Sequence, residues 1–380
     1  MSSVINTNIA SLDTQRALNS SQSALNTSIQ RLSTGLRINS ASDDAAGLEI
    51  SERMNSQIRG LTVAARNAND GVSLAQTAEG ALGQVGDMVQ RIRELAVQSS
   101  NATNTQADRS GIQQEVTQLK AEIDRVSQTT NFNGTKLLDG SFSAANFQVG
   151  ANAGESITVN SITNSQLSGM GVVNQATTQN STAISDMTAV AAGTLTINGT
   201  DIGALAAAGT TQQRQADVVD AINRVSTTTG VGAFYDSTNN KIVLSSASNI
   251  TIAGSGNAAQ VGFAAADSAN AAASGNMSTL DVSSYAGAQL AIQQCDAALT
   301  QVNGSRANLG ALQSRFESAV SNIQIASENT SAAKSRITDT DYAAETANMT
   351  RAQILQQAGN AMLAQANQLP NQVLTLLRGG

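Results

Sequence analysis

Both ends of the chain carry apolar residues at the spacing of a helix that packs along a partner. Between Arg351 and Arg378 the sequence has no charged residue, and apolar positions recur every seven residues. Such a stripe predicts a helix that needs a partner surface, because an isolated amphipathic helix is marginal in water. The stripe consists of Leu355, Met362, Leu369 and Leu376, with Ala352, Gly359, Ala366 and Val373 three positions before them.

The amino-terminal stretch has a similar pattern, with steps of three, four and seven residues. Two apolar seams at opposite ends predict a chain that folds back and pairs its termini. Pro370, the only proline, lies inside the second seam and indicates either a kink or the end of a helix. We call the predicted contact residues the assembly seam: Ile5, Ile9, Leu12, Leu18, Leu25, Ile29, Leu32, Leu355, Met362, Leu369, Val373 and Leu376.

The composition favours long helices over a large globular core. Of 380 residues, 13% are charged and 2% are aromatic, whereas an average protein has roughly 25% charged residues. The net charge of −7 without a basic cluster argues against a nucleic-acid partner, because phosphate binding needs Lys and Arg. No stretch reaches the roughly 18 apolar residues of a membrane span, so no membrane partner is expected.

The residue types exclude several kinds of chemistry. Because the chain has no histidine, HExxH sites, His-based triads and imidazole metal sites are excluded, and no catalytic residue, metal or cofactor is expected. The single cysteine, Cys295, excludes an intrachain disulfide and occupies a seam position, which predicts a buried apolar role. The amino terminus lacks the basic start and apolar block of a secretory signal, which by itself favours a cytoplasmic protein.

Two further helices follow the first seam. Gly35 is expected to end the first helix, and Asp43 and Asp44 are expected to cap the second. Apolar positions in steps of four and three predict that the second helix covers 44–99. The polar loop at 101–106 is short enough to make the third helix antiparallel to the second.

The periodicity changes between residues 141 and 280, which are rich in Thr, Ser, Ala, Gly and Asn. Strand, turn and helix signals there predict a small inserted α+β module, with flexible tracts near 176–192 and 264–278. These signals are Thr194–Gly199 as a strand and turn, 218–225 as a helix and Phe234–Leu244 as a hairpin. Before this region, Asn131–Gly134 and Asp139–Gly140 are turn signals. Helical spacing returns near Ser283, and Thr338–Asp341 is expected to cap the final helix.

The predicted fold is therefore mainly α. It has long antiparallel coiled-coil-like helices from both termini, a short β-hairpin near 130–160 and a small inserted α+β module. The predicted domains are a terminal coiled-coil core for assembly (1–42 and 340–380), a helical rod domain with the β-hairpin (43–175 and 277–339), and a variable, surface-exposed inserted module (176–276).

Several short motifs occur in order at both ends. They are LSTG at Leu32–Gly35, NSASDDAAG at Asn39–Gly47, QRIRELAVQ at Gln90–Gln98, NFNG at Asn131–Gly134, SRFE at Ser314–Glu317, and the stretch Arg351–Arg378. With these motifs the chain resembles the bacterial flagellins, the subunits of the flagellar filament. The middle resembles the insertion of many flagellins and hook-associated proteins. Cys295 and the terminal Gly379–Gly380 depart from the family pattern.

The resemblance implies a structural subunit, without enzymatic activity, that polymerises with itself into the filament for swimming. It implies export through the flagellar type III system guided by an unstructured, uncleaved amino terminus, which accounts for the missing signal peptide and implies an extracellular location. The implied partners are a flagellar export chaperone at the carboxy-terminal helices, hook-associated and cap proteins, and a host flagellin-sensing Toll-like receptor.

The resemblance also implies recognition residues. Positions matching the innate receptor surface are Arg91, Leu95 and Glu115, although Leu95 also flanks the seam of the second helix. A cytosolic sensor reads the terminal leucines of the family, which here are Leu374, Leu376 and Leu377.

Three other functions compete with the filament subunit. A hook–filament junction protein shares the terminal seams but is made in few copies, so electron microscopy of assembled material separates the two. A catalytic insertion is disfavoured by the absence of histidine and by the few acidic residues in 141–280. An adhesive insertion is neither supported nor excluded by the sequence.

Overall fold

The computed structural model describes residues 7–101, 103–236, 239–254 and 258–378. The fold is mainly helical, with long helices toward both termini and small sheets in the middle, as predicted. The helices are α1 (Ile9–Thr34), α2 (Ala45–Ser99), α3 (Gln106–Thr129), α4 (Thr211–Arg224), α5 (Ser226–Thr229), α6 (Ala258–Val261), α7 (Tyr285–Thr338) and α8 (Tyr342–Arg378). The strands are β1 (Asn131–Phe132), β2 (Thr135–Lys136), β3 (Ala145–Gln148), β4 (Ser156–Val159), β5 (Val173–Gln179), β6 (Thr196–Ile197), β7 (Thr200–Asp201), β8 (Val231–Asp236), β9 (Lys241–Ser246), β10 (Ile252–Ala253) and β11 (Ala272–Gly275).

The chain forms two compact units, each assembled from separated stretches of sequence. The first comprises the described residues of Met1–Asn69, Gln148–Ser156 and Ser318–Gly380. The second comprises those of Asp70–Phe147 and Ile157–Glu317. No helix in the described part of the chain has a stretch long and apolar enough to cross a membrane.

Specific residues fix the helix ends of the first unit. Gly35 has a left-handed φ of 74° and ends α1, where its backbone N–H donates to a carbonyl of the last turn. Asp44 accepts the N–H of Gly47 at 2.8 Å at the start of α2. Asp341 accepts an N–H of the first turn of α8 at 2.9 Å. These three ends confirm the prediction from the sequence.

Asp43 has a different role from the predicted helix cap. Its Oδ2 accepts the backbone N–H groups of Asn39 at 3.0 Å and Ser40 at 2.9 Å, so it closes the turn before α2. These hydrogen bonds, the one from Asn39 first, lower the pKa of Asp43 below its usual 3.8.

The final helix does not end at Pro370. The sequence indicated either a kink or a helix end at Pro370. The second of these expectations is wrong, because α8 continues to Arg378. One proline removes one backbone donor from the helical ladder, and the hydrogen bonds on both sides of it still hold the helix together.

The second unit contains a fully buried helical seam. The predicted seam in the second half of α2 has no exposed member: Ala78, Leu82, Val85, Val89, Ile92 and Ala96 are all inaccessible to solvent. α3 lies antiparallel to α2, because Arg91 contacts Glu115 while Ser99 accepts from Arg109. The prediction for this helix pair is confirmed.

An aromatic contact extends this core. Phe316 of α7 is fully buried and meets Phe147 edge to face, with ring centroids 5.5 Å apart and an interplanar angle of 83°. Gly71 of α2 makes room for the ring, since a Cβ there would lie 2.6 Å from Cζ of Phe316. The phenylalanine of the SRFE motif is therefore a core residue.

Two Asn-Gly pairs form tight hairpin turns. Asn133 and Gly134 have φ angles of 49° and 82° between β1 and β2, and Asn198 and Gly199 have the same values between β6 and β7. Positive φ at both central residues is the geometry for which Asn-Gly is preferred. Both turns were predicted from these residues.

The inserted module has its own sheet and core. Its four-stranded antiparallel sheet has the order β11-β5-β9-β8, and α4 packs on β8. Buried residues between Ala176 and Phe263 form one continuous hydrophobic core. The helix and hairpin predicted within the insertion are therefore present.

The tracts flanking the insertion are ordered, contrary to the expected flexibility. β5 runs into the first tract and β11 lies in the second, and the two strands pair antiparallel, with Ala272 opposite Gln175. The Asp267 carboxylate accepts a hydrogen bond from Ser181 Oγ at 3.0 Å, which is a second contact between the two tracts. Sequence analysis did not predict these strands because their side chains are small and polar, whereas their pairing depends on backbone hydrogen bonds.

Candidate assembly surface

The first and last helices pack along each other in opposite directions. Near the start of α1, Asn8 donates from Nδ2 to the carbonyl of Ala366 at 2.8 Å. Near the end of α1, Arg31 faces Glu345 of α8, with Nη1 and Oε2 3.9 Å apart. The termini of the chain therefore pair as the two seams predicted.

Small residues make the contact between these two helices. Ala352 and Ala366 of α8 are buried, and Leu25 is buried on α1 together with two serines. A Cβ added to Gly359 would contact Cδ1 of Leu18 at 3.2 Å. The contact therefore uses the small-residue positions of the stripe on α8, where absent or short side chains allow the helices to approach closely.

The large apolar residues of the assembly seam lie mostly outside this contact. Ile9 is 61% exposed and Met362 is 59% exposed. The two seams were expected to pair within the chain or between chains; within this chain the small positions make the contact and the large residues are left in solvent. Ile9, Leu12, Ile29, Leu355 and Met362 are exposed, Leu18 and Leu32 are partly buried, and Leu25 is buried.

The rest of the predicted terminal residues cannot be placed in this way. Ile5 lies outside the described residues. The same holds for the side chains of Leu369, Val373, Leu374, Leu376 and Leu377, although their backbone belongs to α8. Their roles in assembly and in recognition stay predictions.

A shallow groove follows the exposed side of α8. Ile354 and Leu355 supply its apolar part, and Thr346, Thr350 and Arg351 complete it. Beyond this groove no charge interrupts α8 before its last residue. This side of α8 is suited to another apolar helix, because burial removes its aliphatic side chains from water and Arg351, at the edge of the groove, is the charge nearest to them.

Comparisons with known proteins identify the family. Family models match at residues 5–143 (bacterial flagellin N-terminal helical region), 194–248 (flagellin hook IN motif) and 292–377 (bacterial flagellin C-terminal helical region). Flagellin D of Vibrio anguillarum is 42% identical over 385 aligned positions, which cover 98% of this chain and 99% of the relative. The chain belongs to the bacterial flagellin family.

Other flagellins are similar over comparable lengths. The B-type flagellin of Pseudomonas aeruginosa is 39% identical over 496 aligned positions, which cover 100% of both chains. Among solved structures, FliC from Burkholderia pseudomallei is 27% identical, with a TM-score of 0.40 over 65% of this chain and 100% of that one. Like its family, this flagellin is a structural subunit of the flagellar filament. Its described residues contain no group of three or more side chains that could hold a metal ion.

Two of the residues matching the receptor surface, Arg91 and Glu115, lie in a charged cluster on the second unit. Arg91 donates to Glu94 at 3.0 Å and to Glu115 at 2.9 Å from separate guanidinium nitrogens. These hydrogen bonds raise the pKa of Arg91 above its usual value. Leu95 is only 2% exposed and belongs to the core under this cluster. In this flagellin, Arg91 and Glu115 are thus available to a partner, whereas Leu95 is covered in the single chain.

Cys295 is buried in the second unit, on α7. Burial, with a smaller effect from the nearby Asp296 carboxylate, raises the pKa of its thiol to about 12. The thiol is therefore protonated and shielded at neutral pH, as expected for a small apolar core residue.

Sequence reasoning missed the polar contacts between the terminal helices. Gln356 donates to Gln22, and Ser11 donates to Asn367 at 2.9 Å. The amide-rich face of the last helix was a signal for such contacts, but it did not show which amides face α1. The contribution of Asn8 was also missed, although the only proline of the chain lies four residues beyond its acceptor, Ala366.

Proposed function

We propose that the flagellin polymerises through its terminal helices, with the exposed large apolar residues of α1 and α8 packing against neighbouring copies. The observation that carries this proposal is the exposure of Ile9, Leu355 and Met362 while small residues close the intrachain pair. Each such side chain contributes about 1.5–3 kcal/mol when it is fully buried. Repeated at every subunit, this burial supports a stable polymer.

Two deletions test where the polymer is made. Removing Gln353–Gly380 deletes four heptads of the seam and should abolish filament formation. Removing 176–276 should leave assembly intact, because the insertion has its own core and none of its described residues belongs to the terminal pair. Sedimentation and electron microscopy measure assembly, and circular dichroism confirms that each subunit is folded. Filaments from the tail deletion, or none from the folded central deletion, would contradict the proposal.

This proposal assigns a task to each part of the chain. In this proposal the assembly core consists of residues 1–42 and 340–380, and the helical rod consists of residues 43–175 and 277–339. A variable, surface-exposed module is formed by residues 176–276. The independent core of the insertion supports the last assignment. A junction protein would give short stacks rather than long filaments in the same electron micrographs.

We further infer that the subunit reaches the outside of the cell through the flagellar type III system without cleavage of its amino terminus. The resemblance of both terminal regions to flagellins supports this route. A chaperone that covers α8 before export fits the exposed Leu355 and Met362, and hook-associated and cap proteins are the proposed partners at the filament ends. Mass spectrometry of subunits from secreted filaments tests the route, since a missing amino-terminal segment would overturn it.

Recognition by host receptors is proposed on the resemblance alone. Replacing Arg91 or Glu115 with Ala should weaken signalling by the flagellin-sensing Toll-like receptor, because both side chains are exposed. Leu95 is proposed to act by supporting this surface from below, and Leu374, Leu376 and Leu377 are proposed as the residues that the cytosolic sensor reads. Unchanged signalling from both folded variants would remove Arg91 and Glu115 from the receptor site.

A further inference from the structure

Pro370 leaves a gap in the hydrogen-bond ladder of α8. In an α-helix the N–H of each residue donates to the carbonyl four positions earlier, and proline has no N–H. The carbonyl that loses its donor belongs to Ala366, which is only 6% exposed. A buried carbonyl without a donor is costly, so another group has to supply one.

The side chain of Asn8 supplies this donor. Its Nδ2 lies 2.8 Å from the carbonyl oxygen of Ala366, across the contact between α1 and α8. Its Oδ1 simultaneously accepts the N–H of Ser11 at 3.1 Å, which caps the start of α1. One amide group therefore caps one helix and completes the hydrogen bonding of the other.

A second contact lies beside it. Ser11 is buried, and its Oγ donates to Oδ1 of Asn367 at 2.9 Å. The two contacts join adjacent residues of α8 to the first turn of α1. We call Asn8, Ser11, Ala366, Asn367 and Pro370 the terminal clasp.

We propose that Asn8 is a positioning residue for assembly that replaces the missing amide of Pro370, so that the two residues act as one unit. The first turn of α1 and the last turns of α8 then form together, and the pair presents its exposed apolar residues in one fixed arrangement. This inference rests on the proposed role of the terminal helices in polymerisation.

The clasp differs from an ordinary helix cap in a way that can be measured. Asn, Asp and Ser are about equally good caps, and an acidic cap also suits the positive end of the helix dipole. If Asn8 only capped α1, Asn8→Ser would be neutral and Asn8→Asp neutral or stabilising. With the clasp, both variants leave Ala366 without its donor, and the carboxylate of Asn8→Asp also faces the carbonyl oxygen.

A double-mutant cycle tests the coupling in the full-length chain. The variants are Asn8→Ser, Pro370→Ala and the combination, with the critical concentration for filament elongation as the measurement. Asn8→Ser should raise the critical concentration about tenfold when Pro370 is present, because the hydrogen bond from Asn8 to the carbonyl of Ala366 is lost. In the Pro370→Ala background the backbone N–H of residue 370 can donate to the carbonyl of Ala366. Asn8→Ser should therefore change the critical concentration less than about threefold. Asn8→Asp should raise the critical concentration in the parent chain at least as much as Asn8→Ser.

Controls separate the possible failures. Asn19→Ser alters an exposed residue of the same helix and should leave the critical concentration unchanged. An equal effect of Asn8→Ser in both backgrounds, or no effect of either Asn8 variant, would overturn the clasp. If the parent chain formed no filaments at all, the proposed function would fail instead, and the two results cannot be confused.

Discussion

The second half of α2 and the carboxy-terminal helix α8 have the same kind of apolar pattern and opposite exposure. In α2 every member of the seam from Ala78 to Ala96 is fully buried within one chain. In α8 the small positions Ala352 and Ala366 are buried, whereas Leu355 and Met362 are more than half exposed. An apolar heptad pattern therefore predicts that a partner exists, but it does not predict whether the same chain or another copy supplies it.

The difference follows from the side chains at the contact. In the second unit, α3 and α7 provide the large residues Ile123 and Phe316, which are fully buried. Between α1 and α8, the contact is made by small residues and by the hydrogen bonds of the terminal clasp. The first arrangement gives a core that is closed in the free subunit, and the second gives a pair that, on the proposed mode of assembly, is completed by neighbouring copies.

The reactivity of Cys295 measures how tightly the second unit is closed without other copies. Its pKa of about 12, against 9.0 for a free thiol, lowers the thiolate fraction near pH 8 about a thousandfold. Labelling by a thiol reagent should therefore be slow in the free subunit as well as in the filament, and fast in guanidinium. A cysteine placed on the exposed side of α7 by Asn303→Cys, in a Cys295→Ala background, should react rapidly. Fast labelling of Cys295 in the native free subunit would show that this core is open.

Phe316→Ala tests the same core by its stability. Deleting this fully buried ring, which contacts Phe147, should lower the free energy of unfolding by about 3–5 kcal/mol. Ile325→Ala is the matched control, because that residue lies on the same helix and is 55% exposed. It should change the unfolding of the free subunit by less than about 0.5 kcal/mol. Similar urea midpoints for the two variants would contradict the assignment of Phe316 to a closed core.

Leu355→Ala separates assembly from stability in the terminal pair. Because Leu355 is half exposed in the single chain, the variant should leave the unfolding midpoint of the free subunit nearly unchanged. It should raise the critical concentration for elongation about tenfold, since the proposed packing against a neighbouring copy buries the exposed half of the side chain. Gln357→Ala, an exposed residue of the same helix outside this groove, serves as the comparison. A loss of subunit stability without a change in assembly would place Leu355 in the wrong contact.

Much of the fold could be predicted because it depends on local signals. The cap at Asp44, the end of α1 at Gly35, and the turns at Asn133 and Asn198 are determined by residues within four positions of one another. The long helices follow from their periodicity for the same reason.

The missed features join residues that are far apart in the sequence. The donation from Asn8 to Ala366 links positions 358 apart, and the pairing of β5 with β11 links tracts that looked flexible. Leu355 is exposed because the small apolar residues of α8, and not the large ones, face α1. The seven-residue periodicity places both sets on the same side of the helix. Local pattern cannot choose between them, because the choice depends on the side chains of the facing helix.

The pairing of β5 with β11 places the entrance and the exit of the insertion side by side. Gly275 lies opposite Val173 in this ladder, so the chain leaves the helical region and returns to it at neighbouring positions. Paired strands lie about 5 Å apart, a span that any folded module with adjacent ends can bridge. A module of another size or sequence can therefore occupy this position, provided that its two ends lie side by side, without a change in the helices that flank it.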